Sequence, residues 1–356
     1  MITQCWLHIG TEKTGSTSIQ TFLAENRAPL RVRGWLYPRT TGIRAHHDLV
    51  AYSLDDERDD ETRHATGGEQ FSLDAFRRHL IESLESEIAA SGASTLALSN
   101  ERLATRLLRA TEITRIKGLC DRFAQKTSVI VYLRNQPDFL VSRYTNVIWE
   151  GGTRDFDFRG RTAIADYALL LDRWSHAFGK ENLVVRRFEL ADFPDGDLIA
   201  DFTRSIGLDA RGLHAPPRTN PSLDAKSLAF LRGLNRRLPR ALAGRIQPIR
   251  GAIVRVLQRR RGRTRFVIPR VEAERIEAAY RESNERVATH YFGSRFRPLF
   301  SPSVLVSDAD EPSHDRIGPV VAMRIAGFLI LGLLGDGVVW AAKRLLRRKP
   351  GVSLTH

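Results

Sequence analysis

His8-Ile9-Gly10-Thr11-Glu12-Lys13-Thr14-Gly15-Ser16-Thr17-Ser18-Ile19-Gln20 is the stretch whose reading decides the fold. It completes a short, mostly apolar run over residues 4–9 that reads as a buried strand. After it, Ile19, Phe22 and Leu23 recur at helical spacing. A strand ending in glycine, a turn rich in Gly, Ser and Thr, and a helix opening on Ser16-Thr17-Ser18 make an anion cradle. Glycine lets the backbone approach a phosphate closely, and the N–H groups of a helix start point at it. Lys13 adds a mobile positive charge on the same loop. The plainer reading is a helix start capped in the ordinary way by Ser or Thr.

The spacing Gly10-x4-Gly15 echoes the ATP-binding loop G-x-x-x-x-G-K-[ST]. Position 16 is Ser rather than Lys, however, and the lysine sits inside the loop at position 13. The strand candidate near residue 95 runs Thr-Leu-Ala-Leu-Ser-Asn-Glu and offers no Asp to hold magnesium. A magnesium-dependent nucleotide hydrolase keeps both parts.

Outward from the loop, strands and helices alternate. Residues 95–98, 128–133 and 183–188 read as further strands. Residues 73–90, with Leu73, Phe76, Leu80, Leu84 and Ile88 on one face, read as a helix. So do residues 103–123, 139–149 and 167–178. This alternation predicts an α/β protein: a P-loop-like three-layer fold whose central, mostly parallel sheet is flanked by helices, with a C-terminal helical extension. The expected division is a domain over residues 1–300, a polar linker over 301–318, and an apolar tail with a basic flank over 319–356.

The 356 residues are 42% hydrophobic and 27% charged, globular values that exclude a wholly disordered chain. The net charge of +14 is concentrated. Residues 236–265 hold eleven arginines and no acid or lysine, and 343–349 (Lys-Arg-Leu-Leu-Arg-Arg-Lys) add five basic residues. The remaining chain is close to neutral. Cys5 and Cys120 are the only cysteines, which excludes a disulfide framework and a Cys-rich zinc module. No basic stretch followed by an apolar run opens the sequence, so a signal peptide is not expected and a reducing, cytosolic setting is.

A second motif follows the strand Ser-Val-Ile-Val-Tyr-Leu. Arg134-Asn135-Gln136-Pro137 leads into a helix carrying Ser142 and Arg143. An arginine at the carboxyl end of a parallel strand lies where such sheets bind ligands, and an Arg with a hydroxyl suits a second, separate phosphate. A surface arginine and a solvated serine are the plainer alternative.

Together, Lys13-Thr14-Gly15-Ser16-Thr17-Ser18 and Tyr132-Leu133-Arg134-Asn135-x-Pro137-x4-Ser142-Arg143-Tyr144 resemble the sulfotransferase superfamily that uses 3′-phosphoadenosine-5′-phosphosulfate (PAPS). The pieces Asp166 to Trp174, Val184 to Leu190 and Thr219-Asn220-Pro221-Ser222-Leu223 look like its bacterial branch, related to carbohydrate sulfotransferases. The resemblance implies transfer of a sulfuryl group from PAPS, without a metal, to a hydroxyl of a carbohydrate or glycolipid. It implies that Lys13, Thr14, Gly15, Ser16, Thr17 and Ser18 cradle the 5′-phosphosulfate, with Lys13 donating to the leaving oxygen. Arg134 and Ser142 would then hold the 3′-phosphate.

A hydroxyl acceptor calls for a general base. The candidates are His46 or His47, after the apolar segment Gly-Trp-Leu-Tyr-Pro, and Glu101, after the strand at 95–98. Glu12 is a further candidate. Adjacent histidines are commonly surface residues, and Glu101 could pair with Arg102 or Arg106.

The arginine-rich segment lacks aromatics for base stacking, so nucleic acid is disfavoured. An anionic polysaccharide or a membrane surface fits it at least as well, as does a solvated amphipathic helix with Ile246, Ile249, Ile253 and Leu257 turned inward. Residues 320–342 are long enough to span a bilayer, but Asp336, Arg324 and several glycines interrupt them. The expectation is a tail on the cytoplasmic face of the membrane, near a lipid-linked acceptor, ahead of a true span or a buried helix. The competing functions are a P-loop nucleotide or small-molecule kinase, and a non-enzymatic arginine-rich protein that binds nucleic acid or membrane.

Overall fold

A computed structural model describes residues 2–58, 72–216, 223–237, 243–259, 264–293, 296, 298–308 and 318–335. The chain divides into two compact units. The first comprises Met1–Phe139, Gly160–Thr219 and Glu277–Pro302; the second comprises Leu140–Arg159, Asn220–Ile276 and Ser303–His356.

The first unit is α/β. Its sheet has the strand order β2-β3-β1-β4-β5, and every pairing is parallel. The strands are β1 (Ile2–Gly10), β2 (Trp35–Leu36), β3 (Thr95–Ser99), β4 (Ala124–Leu133) and β5 (Leu183–Arg187). β1 lies at the centre, and the chain changes direction across the sheet between β1 and β4. That is where open parallel sheets bind ligands, outside the carboxyl ends of the strands.

Alternating side chains on the inner strands feed two cores, as the two-residue period of a strand requires. Cys5, Leu7 and Ile9 of β1, Leu96 and Leu98 of β3, and Val129, Val131 and Leu133 of β4 face one side. They meet α3 (His47–Ser53), α4 (Leu73–Ser91), α5 (Arg102–Arg106), α6 (Ala110–Phe123) and α8 (Tyr167–Phe178). Ala97, Ile130 and Tyr132 face the other side. There they meet α1 (Ser16–Glu25), α2 (Arg27–Val32) and α9 (Leu198–Ser205). Three layers result, with the sheet in the middle.

The stretch 103–123, expected as one helix, is two. Glu112 is fully buried, and its carboxylate accepts the backbone N–H groups of Leu108 and Arg109 at 3.1 and 3.2 Å. That caps α6 and interrupts the chain after α5. Arg58 closes the site by donating to both Glu112 oxygens at 2.7 and 2.8 Å, leaving no uncompensated charge.

Helix α7 (Gln136–Trp149) begins in the first unit and continues into the second. The second unit also holds α10 (Ala225–Arg237), α11 (Ala243–Arg259) and α13 (Pro319–Gly335), and α12 (Arg270–Phe292) runs from it into the first unit. Arg232, nearly buried, donates to the Tyr144 hydroxyl at 2.8 Å and pairs with Asp155 at 2.6 Å. Tyr144, Phe156 and Phe266 pack together beside it. On α11, Leu257 is buried and Ile253 half-buried; the side chains of Ile246 and Ile249 lie outside the described residues. On α13, Ile325 and Leu329 are buried while Val320, Met323, Phe328 and Ile330 are exposed. Among the described residues no helix is long and apolar enough to cross a membrane. Residues 336–342 and the basic run 343–349 lie outside the described residues, as do 309–317 of the expected linker.

Candidate active site

Because β1 is flanked on both sides, its carboxyl end stands between the ends of β3 and β4. His8 pairs with Ser99, and Gly10 with Val131. The loop that follows is therefore held from two directions. On the β4 side, the Thr11 N–H and hydroxyl both donate to the Tyr132 carbonyl at 3.1 Å. The buried Thr14 hydroxyl turns back to the Thr11 carbonyl at 2.6 Å. Lys13 and Gly15 both take left-handed backbone conformations, with φ of 65° and 76°. That pair of turns folds the loop over the start of α1, whose N-terminus has no side-chain cap and no acid in its first turn. The opening of α1 thus leaves the positive end of its dipole without a capping side chain or a first-turn acid.

Arg134, at the end of β4, reaches this loop. Its guanidinium donates to the Lys13 carbonyl at 3.0 Å and lies 5.8 Å from the centre of the Phe188 ring. The two motifs expected to bind separate phosphates are therefore in direct contact. Ser142 lies on α7 in the part that belongs to the second unit. Ser16 is buried, and Thr17 and Ser18 are half-buried on the first turn of α1.

On the β3 side stands Glu101. Gly10, at φ 96°, would bring any Cβ to 2.8 Å from the Glu101 Cα, so these two backbones pack in contact. The buried Gln20 of α1 donates from Nε2 to Glu101 Oε2 at 2.7 Å. Glu101 is thus set at the mouth of the loop by a glycine and aimed by an amide. Glu12, on the loop itself, accepts from the Thr105 hydroxyl at 3.0 Å. A Gly10→Ala variant should lose about 1–3 kcal/mol through its left-handed backbone. It should also lose activity beyond that, because Glu101 must move; retention of full activity at an unchanged melting temperature would contradict this packing.

The two histidines part company. His46 is fully buried. Its Nδ1 accepts the Ser99 N–H at 3.2 Å, which leaves Nε2 to donate to the Pro38 carbonyl at 3.2 Å. Burial, with Arg27 nearby, pushes its pKa down to about 3. Both nitrogens are occupied and the ring stays neutral, so His46 secures the chain between β2 and β3 rather than meeting a substrate. His47 is partly exposed, and its Nδ1 lies 3.0 Å from the side-chain amide of Asn100.

His8, unremarked in the sequence, lies inside the unit with Nδ1 2.8 Å from the Ser99 hydroxyl; burial lowers its pKa to about 3 as well. His8 and His46 both titrate lower when folded than when unfolded, so the unfolded chain binds their protons first. Their contribution is complete above about pH 6.5 and falls toward about pH 3, by about 1.4 kcal/mol per pH unit for each. Urea denaturation between about pH 7 and about pH 5 should show this loss, and His46→Gln should make it shallower. Equal slopes in the two proteins would refute it.

A cleft of about 420 Å³ in the first unit is lined in part by Asn135, next to Arg134, and by Arg281, Asn284 and Phe300, and includes none of the residues between Gly10 and Ser18. Among the described residues no group of three or more His, Cys, Asp or Glu side chains is placed to hold a metal ion.

No family model matches the chain. Over 175 residues it is 29% identical to an uncharacterized protein of Archaeoglobus fulgidus, a match covering 48% of this chain and 47% of that protein. The chain thus spans about half the length of the curated relative it matches. A crystal structure of a sulfotransferase from Alicyclobacillus acidocaldarius aligns with 65% of this chain and 91% of that one, at 14% identity and a TM-score of 0.36. Likeness at that level leaves the chemistry to be argued from the residues of the site.

Proposed function

We propose that this protein is a PAPS-dependent sulfotransferase acting on a hydroxyl of a carbohydrate or glycolipid. The observation that carries the reading is the contact of Arg134 with the Lys13 carbonyl, which joins the β4 arginine to the loop between β1 and α1. The residues present suit the cofactor. Two glycines spare the loop a side chain at positions 10 and 15, Lys13 and Arg134 supply two cations, and the start of α1 is uncapped. Lys13 and the amides opening α1 would hold the 5′ end, and Arg134 the separate 3′-phosphate. When bound, PAPS supplies the sulfuryl group and a phosphate that leaves with growing negative charge.

The chain's own part is to stabilise that charge and to prepare the acceptor. Lys13 places a donor beside the uncapped helix start, where charge develops. Glu101, held by Gln20, takes the proton of the acceptor hydroxyl. Among the base candidates Glu101 is packed on Gly10 and held by Gln20, while His46 has no nitrogen to offer.

Transfer of labelled sulfate from PAPS to a panel of glycans and glycolipids tests the proposal. Adenosine 3′,5′-bisphosphate should raise the melting temperature without magnesium. Stabilisation by ATP with magnesium alone would favour a kinase and overturn the reading. A lipid-linked acceptor fits the same proposal, because α13 leaves Val320, Met323, Phe328 and Ile330 exposed ahead of the basic run at 343–349. Flotation with vesicles containing anionic lipid tests that part. Protein that does not float removes the membrane from it.

A further inference from the structure

His47 invites assignment as a base, but its hydrogen bonds argue otherwise. Asn100, fully buried after β3, has its Oδ1 occupied by the Arg102 N–H at 2.8 Å. A backbone N–H only donates, so the amide cannot be turned around. The group facing His47 Nδ1 at 3.0 Å is therefore the Asn100 NH2. That group also only donates, so Nδ1 presents its lone pair and the proton of the neutral ring sits on Nε2. Proton uptake at Nδ1 would set two N–H groups against each other. Partial burial and the nearby Arg102 and Arg44 also hold the ring below its usual range, with Glu101 opposing them.

We propose that His47 is a hydrogen-bond donor to the acceptor substrate, fixed in its Nε2–H tautomer by Asn100, and that it works beside Glu101 on adjacent hydroxyls of a sugar. This rests on the sulfotransferase reading above. Glu101 follows Asn100 in the chain, and its charge acts on the His47 ring. A carboxylate that accepts and an imidazole that donates make a complementary pair for a vicinal diol. One hydroxyl gives its proton to Glu101, and its neighbour accepts from His47. A simple monohydric alcohol can use only the first of these contacts. Asn100 is then a positioning residue, acting through the histidine.

Nitrogen-15 NMR of the full chain should show His47 with Nδ1 bare and Nε2 protonated around neutral pH. In steady-state transfer with PAPS, His47→Ala should raise the KM for a diol acceptor about tenfold, the worth of one hydrogen bond. It should leave the KM for PAPS and that for a monohydric alcohol unchanged. His47→Gln, which keeps a donor, should recover most of the loss. Asn100→Asp accepts from Nδ1–H instead, moves the proton off Nε2, and should raise the diol KM as His47→Ala does. A wild-type ring protonated at Nδ1 would overturn the proposal. So would a His47→Gln enzyme that loses kcat together with the acidic limb of its pH profile, since either result makes His47 the base while PAPS-dependent transfer stands. No transfer at all by the wild-type protein would overturn the sulfotransferase reading itself, and the substrate role of His47 with it.

Discussion

Lys13→Ala should lower sulfuryl transfer by about 10²–10³-fold, the usual cost of removing one preorganised donor from developing negative charge. The substitution isolates the charge. Alanine keeps the Cβ, so the left-handed φ of 65° costs the same in both proteins. The path of the loop is set by contacts that do not involve the lysine side chain: Thr11 to Tyr132, Thr14 to Thr11, and Arg134 to the Lys13 carbonyl. The melting temperature should therefore stay close to that of the wild type, with the loss falling mainly on kcat. Lys13→Arg should retain part of the activity. A Lys13→Ala enzyme within about threefold of wild-type kcat/KM would remove the lysine from the reaction.

Glu101→Gln should lower kcat by about 10²–10⁴-fold, the range for loss of a positioned general base. The amide has the volume of the carboxylate, and its oxygen can still accept from Gln20 Nε2, so the packing against Gly10 should survive. The KM for PAPS should be unchanged, since Glu101 stands on the β3 side of the loop and Arg134 on the β4 side. Gln20→Ala should produce a smaller fall in kcat by letting the carboxylate swing. If Glu101→Gln keeps its kcat while Glu12→Gln loses it, the base is Glu12, on the loop itself.

Most of the sheet is legible in the sequence because its inner strands are buried on both faces. The runs at 4–9, 95–98 and 128–133 are apolar enough to stand out, and the inner strands β1, β3 and β4 fall on them, while β5 at the sheet edge falls on the shorter apolar run Leu183-Val184-Val185. β2 does not stand out, because Trp35–Leu36 is two residues long and pairs only at the sheet edge with β3. The break between α5 and α6 is invisible to periodicity. It depends on one carboxylate, Glu112, turning back to its own helix start and finding Arg58 from a distant segment.

The site divides in the same way. The meeting of Arg134 with the Gly10–Gly15 loop is readable because both follow the carboxyl ends of neighbouring parallel strands. The same sequence offers His46, His47, Glu101 and Glu12 as bases without placing any of them in space. Only the parallel register of β1 with β3 puts Glu101 against Gly10 and Gln20, and only the path from β2 to α3 buries His46 beneath Ser99 and Pro38. Local chemistry and two-residue periodicity were enough to specify the layers of this protein and the loop between β1 and α1. That His47 meets Asn100 and Glu101 meets Gln20 was decided by tertiary structure alone, because hydrogen bonds between residues 53 or 81 positions apart exist only once the sheet has assembled.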